Sequence, residues 1–224
     1  MSNTNSLQPL QIWPTVLFRR FWQHASEEHP GIIEHLYQLK SAQSSNIDSG
    51  VATAMKPAEG MYEGTLDLFA KTDHPGLKRL IGFLDESVRQ AVSMINGKQV
   101  PPDHIDVDFR ESWYHISNDG GFHDAHYHGS CSWCGIYYIR AGSPPGDKPG
   151  TAGNGLSRFY CPIPRGGLAD DFGIQYLSQA GSFDVPPTDG MLVLFPSYLL
   201  HSGLPYRGEE DRILLAFNTA SYLK

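Results

Sequence analysis

From Pro75 onward, Leu77, Leu80, Ile81, Leu84, Val88, Val92 and Ile95 recur at spacings of three and four residues, which puts them on one face of a helix. The spacing predicts a helix over 75–96, with Thr72 or Asp73 as its cap, Pro75 in its first turn and Gly97 as its stop. A second stripe, Ile32, Ile33, Leu36, Tyr37 and Leu39, predicts a helix from Pro30 to about Ala42, and the Ser/Asn/Gly-rich stretch after it to Gly50 reads as a loop. Ahead of both, Leu10 to Phe18 is rich in β-branched and aromatic residues and reads as an extended opening strand, an edge strand because it contains Pro14. Residues 1–9 are polar and read as a mobile tail.

After Pro101-Pro102 the pattern changes to short runs of Val, Ile, Phe, Tyr and Trp at about 105–109, 111–117, 134–140, 157–161, 181–185, 190–195 and 212–220. Such runs, divided by Gly- and Pro-rich connections, predict a mainly β domain with flanking helices, an α+β arrangement in which a sandwich or barrel is supported on one side by helices. The expected division is one domain over 1–224, with a strand and supporting helices over 10–100 and the β core over 101–224. The turn-rich stretches 141–155 and 162–180 leave and enter core strands, so both read as lids or substrate walls. No internal repeat is visible.

With 40% hydrophobic and 18% charged residues, the chain is too apolar to stay disordered at a net charge of −7. Its 24 acidic residues outnumber 17 basic ones, and no stripe of Lys and Arg suits a phosphate backbone, which argues against nucleic acid. No run approaches the roughly 20 apolar residues of a membrane span, and the N-terminus lacks a basic segment followed by an apolar one. Three cysteines, at 131, 134 and 161, argue against a disulfide framework, and the expected location is cytoplasmic.

Candidate chemistry gathers in His123-Asp124-Ala125-His126-Tyr127-His128-Gly129. On an extended strand residues two apart share a face, so His126 and His128, with Asp124 beside them, would converge. A facial site on iron needs such a pair and a third ligand from elsewhere in the fold, with open positions for oxygen and a chelating cosubstrate. His201 is the distal candidate, delivered to a rim by the apolar strand ending at Phe195-Pro196-Ser197. Arg212 opens the last apolar strand, and a buried guanidinium there calls for an anion, best a carboxylate that matches its planar fork.

Taken in order, His126-x-His128, Gly135-Ile136-Tyr137-Tyr138-Ile139, Phe195-Pro196-Ser197 with His201, and Arg212-Ile213 with Phe217-Asn218 resemble the 2-oxoglutarate–Fe(II) oxygenase family related to prolyl hydroxylases. The similarity covers roughly 105–220, and Trp13-Pro14-Thr15 resembles the start of family members. The resemblance implies a double-stranded β-helix, or jelly roll, with Fe(II) and 2-oxoglutarate as cofactors. It also implies His126 and His201 as iron ligands, Arg212 as the clamp on the far carboxylate of 2-oxoglutarate, Tyr138 as a hydrogen-bonding partner of that carboxylate, and Asn218 beside them. The implied reaction decarboxylates 2-oxoglutarate to succinate and hydroxylates a C–H bond of a small-molecule or peptide substrate.

Hydroxylases of this kind carry His-x-Asp where this chain has His126-Tyr127-His128. Three arrangements follow: three histidines hold the iron, Asp124 reaches in, or His128 stands outside the ligand set. Ligand chemistry favours the first.

Several residues have plainer readings. His104, His115 and His123 have no partner at a matching offset and read as packed or surface residues, although His123 could line the pocket. Cys131-Ser132-Trp133-Cys134 precedes a strand rather than a helix, unlike a thioredoxin-type couple, and leaves zinc binding or an adventitious disulfide as alternatives. A salt bridge from Arg212 to Glu209, Glu210 or Asp211 would be weak and exposed. Trp113 and Trp133 read as core or pocket wall, and Tyr137, which alternates with Tyr138 on its strand, reads as packed. Two other functions fit the β core: a three-histidine, cupin-like dioxygenase that binds its substrate directly to iron, and a jelly-roll binding module with a structural metal.

Overall fold

The computed structural model describes residues 15–42, 60–143, 152–162 and 181–224. The expected tail over 1–9, most of the opening strand, the loop 43–50 and most of the two lid stretches lie outside these residues.

In chain order the elements are β1 (Phe18–Phe21), α1 (Ala25–Ala42), β2 (Met61–Glu63), α2 (Leu68–Lys71), α3 (Pro75–Ile95), a 3-10 turn at Pro102–His104, β3 (Ile105–Ser117), β4 (Gly121–His126), β5 (Trp133–Arg140), β6 (Ser157–Tyr160), β7 (Ser182–Val185), β8 (Met191–Pro196), β9 (His201–Tyr206) and β10 (Arg212–Leu223). Among the described residues one sheet runs β1-β8-β5-β10-β3-β2 and a smaller one β4-β9-β6-β7. Their named strand pairs are antiparallel.

Strand parity sorts the larger sheet into two faces. Ile213, Leu215 and Phe217 of β10, Tyr137 and Ile139 of β5, and Leu192 and Leu194 of β8 pack with Ile32 and Leu36 of α1 and Leu77, Leu80, Leu84 and Val88 of α3. The alternate residues Leu214, Ala216, Tyr138, Met191, Val193 and Phe195 join Trp113, Phe159, Val185 and Leu199 in a second core, which extends to the smaller sheet. Burial on both faces accounts for the unbroken apolar runs of β8 and β10. By the same parity Arg212 and Asn218, flanking Leu214 and Ala216, belong to the face opposite the helices.

The helix stripes are used as their spacing predicts, with differences at the ends. The α3 cap is His74, whose Nδ1 accepts from the Leu77 amide at 3.3 Å, rather than Thr72 or Asp73. Thr72 Oγ1 instead accepts from the His74 amide. α1 begins five residues before Pro30, which is carried inside it. β1 lies later than the expected opening strand and pairs with β8 at the sheet edge. No helix among the described residues is long and apolar enough to cross a membrane.

Candidate metal centre and cosubstrate pocket

His126 and His201 are direct cross-strand partners on β4 and β9, and their ring centroids lie 4.2 Å apart. His128 falls just beyond the end of β4, where its amide donates to the Ser197 carbonyl at 3.1 Å. Its ring lies 4.9 Å from that of His126 and 5.3 Å from that of His201. One nitrogen from each of the three lies within 4.8 Å of the others, a set able to hold a metal ion.

The expected convergence is therefore present, but by a different route. β4 is not a regular strand through 128: its register against β9 slips between Gly121 and His123 and again between His123 and His126. A bulge between 123 and 126 adds a residue on one side of the ladder and resets side-chain parity. His123 and His126, three apart in sequence, consequently meet with ring centroids 4.1 Å apart. Asp124 is exposed, and its carboxylate is not part of the cluster. Its backbone carbonyl instead faces His126 Nδ1 at 2.7 Å.

That contact orients the ligand set. A ring Nδ1–H donated to a carbonyl leaves Nε2 with its lone pair free. His126 does this with Asp124 O, and His201 does it with Leu199 O at 2.9 Å. His128 is held differently: Asn218 Nδ2, which can only donate, lies 3.3 Å from its Nδ1 and donates to Glu111 Oε2 at 2.7 Å, so this contact places the ring without freeing Nε2. Burial holds all three imidazoles below the ordinary histidine pKa, His201 well below and His128 down to about 4, with neighbouring imidazoles adding to the effect for His201 and His128. Burial likewise takes His123 down to about 3.

These shifts fix a sign. The unfolded chain, with imidazoles near 6.5, binds more protons than the fold between about pH 4 and 6.5. The metal-free protein is therefore expected to lose stability as pH falls through that window, at up to about 1.4 kcal/mol per pH unit per such group. Chelator-treated protein unfolded in urea at pH 7 and pH 5 should show the lower midpoint at pH 5.

The histidines face a cavity whose wall also includes Trp113, Ser157, Phe195, Arg212, Ala216 and Asn218. Arg212 is 4% exposed. One guanidinium NH donates to the Gly155 carbonyl, Tyr138 lies beneath the cation with its ring centroid 5.4 Å away, and Nε is buried without a partner. No carboxylate among the described residues lies within ion-pair distance of it, so the neighbouring acids 209–211 do not neutralise it. Burial lowers its pKa and the Tyr138 contact works against that.

Tyr138 is fully buried and not among the cavity-lining residues; its hydroxyl meets Ser157 Oγ. Ser157, which sequence reasoning did not single out, is the group that lines the cavity there. Cys131 and Cys134 are free thiols with sulfurs 3.9 Å apart, and neither joins a metal-capable cluster among the described residues. Tyr137 packs in the core as expected, with its hydroxyl 2.7 Å from His29 Nε2. Trp113 serves both core and wall. His115, read as an ordinary residue from sequence, and His123, for which a place in the pocket wall was the alternative reading, both line the cavity. His104 stays on the surface.

The architecture is that of a known fold. A prolyl-4-hydroxylase from Pseudomonas putida superposes with a TM-score of 0.55 at 17% identity, covering 92% of this chain and 93% of that one. HygX from Streptomyces hygroscopicus, with nickel and 2-oxoglutarate bound, gives 0.55 at 16%, covering 92% and 83%. A prolyl hydroxylase from Trichoplax adhaerens, in complex with a hypoxia inducible factor peptide fragment, gives 0.56 at 14%, covering 90% and 83%. At these identities the likeness establishes the fold, a double-stranded β-helix. No curated protein sequence matches the chain. Residues 111–218 match the family described as "Putative 2OG-Fe(II) oxygenase". Over that segment, just under half of the chain, the sequence is similar to this family, whose description carries Fe(II) and 2-oxoglutarate.

Proposed function

We propose that the protein is an Fe(II)- and 2-oxoglutarate-dependent oxygenase that hydroxylates a C–H bond of a small-molecule or peptide substrate. His126, His128 and His201 hold the iron, and Arg212 seats the far carboxylate of 2-oxoglutarate. The observation that carries this reading is Arg212: a buried guanidinium, with no acidic partner and an unpartnered Nε, in the same cavity as three converging imidazoles. A buried cation without an anion is costly, and a planar carboxylate matches its fork.

The donor set fits the metal. Three imidazole nitrogens with open positions suit a ferrous ion, and the charge they leave uncompensated is what a dianionic chelator supplies. With 2-oxoglutarate and oxygen, the iron supplies the oxidising power to break a C–H bond. The chain's own residues orient and exclude. The Asp124 and Leu199 carbonyls aim two Nε2 atoms into the cavity, and Asn218 orients the third ring. Tyr138 supports the Arg212 plane from below. Phe195, Leu214 and Ala216 present apolar surface to the cavity and keep water from it.

The test is turnover of iron-loaded protein. Consumption of 2-oxoglutarate with release of equimolar succinate is expected, together with a visible charge-transfer band on anaerobic addition of 2-oxoglutarate. Oxygen uptake with no succinate would replace this reading by the cupin-like dioxygenase; metal binding without turnover or band would replace it by the binding module.

A further inference from the structure

Beside the three-histidine cluster, the same cavity holds a second convergence of ligand atoms that the proposed reaction does not use. Glu63 ends β2 and is the direct cross-strand partner of His115 in β3. The β4 bulge turns His123 toward the same point, with its ring stacked 5.7 Å from that of His115. One carboxylate oxygen and two imidazole nitrogens come within 4.8 Å of one another. Glu63 Oε2 lies 2.7 Å from His115 Nε2 and 4.0 Å from His123 Nε2.

As a set of hydrogen bonds the cluster does not close. Trp113 Nε1 also points at His115 Nε2, at 3.0 Å, and an indole N–H can only donate. One imidazole nitrogen cannot accept that N–H and also donate to Glu63. His123 Nε2, at 4.0 Å, is too far to hydrogen-bond the carboxylate. Its Nδ1 is turned to the Asp124 carbonyl at 3.4 Å, the acceptor that also orients His126. No Lys or Arg among the described residues pairs with Glu63. A carboxylate in a cavity wall thus faces two imidazole nitrogens with no shared proton arrangement that satisfies all of them. A cation between them would take the carboxylate and both ring lone pairs, with the Trp113 N–H giving up its place at His115 Nε2.

We propose that Glu63, His115 and His123 form a second divalent metal site, adjoining the first along the cavity wall. Two imidazoles and one carboxylate suit a first-row transition ion such as Zn(II) or Fe(II), whereas Ca(II) and Mg(II) call for oxygen ligands. His115 and His123 both line the cavity, so the open positions of the ion face the space where substrate must lie. An ion there would take an oxygen or nitrogen donor of a polar substrate.

The experiment counts metal rather than activity. Metal-free full-length protein, carrying Cys131→Ser so that thiolate binding is not counted, is equilibrated with Zn(II), desalted and analysed for zinc per chain. Two ions per chain are expected, falling to one in Glu63→Gln and in His123→Gln, and also to one in His201→Ala; circular dichroism verifies that each variant is folded. One ion that survives Glu63→Gln and is lost in His201→Ala overturns the second site. So does a count of two that Glu63→Gln leaves unchanged, or a count of none. One ion lost in Glu63→Gln but kept in His201→Ala supports the second site and overturns the assignment of the first, so the two failures are distinguishable.

Discussion

Arg212→Met is expected to weaken 2-oxoglutarate binding by about 100- to 1000-fold while leaving the metal content of the three-histidine cluster unchanged. Truncating one partner of a buried, hydrogen-bonded charge pair costs about 2–5 kcal/mol, and each 1.4 kcal/mol is a factor of about ten. Met keeps most of the side-chain volume, so the loss reports the guanidinium rather than a collapsed cavity. Arg212→Lys is a sharper instrument, because it keeps the charge but gives up the planar fork, and it should fall between wild type and Met. The geometry explains why the site tolerates an unpaired cation: Tyr138 lies under the guanidinium and Gly155 takes one N–H, so the side chain is held in place before any anion arrives. The measurement is an anaerobic titration with 2-oxoglutarate, read by the visible band, with iron quantified in the same samples. Unchanged affinity in Arg212→Met would reduce Arg212 to a pin for the Gly155 turn and remove the clamp.

Arg212 was visible from sequence because a cation that opens an apolar run is drawn into the core with its strand and calls for an anion there. In the structure Ile213, Leu215 and Phe217 pack with the helices, while Leu214 and Ala216 join the other core. The helix over 75–95 was equally legible, since its stripe is continuous and Gly97, with φ of 62°, stops it. Local irregularity was not legible. Period-two reasoning placed Asp124 with His126 and His128, but the bulge in β4 reverses that, turning Asp124 outward and bringing in His123. No residue between 123 and 126 announces a bulge, so only the pairing with β9 reveals it. β9 itself, His201-Ser202-Gly203-Leu204-Pro205-Tyr206, carries a Gly and a Pro and lacks alternation. It can be a strand because Pro205 is used as an acceptor, its carbonyl taking the Gly155 amide at 2.9 Å. The second cluster was hidden for another reason. Glu63 and His115 are 52 positions apart, and the three-residue β2 that pairs them has no signal of its own.

His201→Ala should weaken metal binding at the three-histidine cluster more than Asn218→Ala does, and this ordering probes how that cluster is built. Loss of an outer group that orients a ligand costs about 10- to 100-fold in metal affinity, the range expected for Asn218→Ala, which frees the His128 ring but removes no donor atom. His201→Ala deletes a donor whose Nε2 is aimed by the Leu199 carbonyl, and neither Asp124, which is turned to solvent, nor a thiol, which the cluster lacks, replaces it. The loss should exceed 100-fold. His128→Ala decides between the remaining arrangements. If three imidazoles hold the ion, it must match His201→Ala; if His128 only supports the site, it can cost no more than Asn218→Ala. Competition against a chromophoric chelator, with every variant in a Glu63→Gln background so that only one cluster is read, gives the three affinities on one scale. An Asn218 effect as large as that of His128 and His201 would place the metal elsewhere in the cavity, because a group that contacts one ring through its amide has no means to outweigh a ligand.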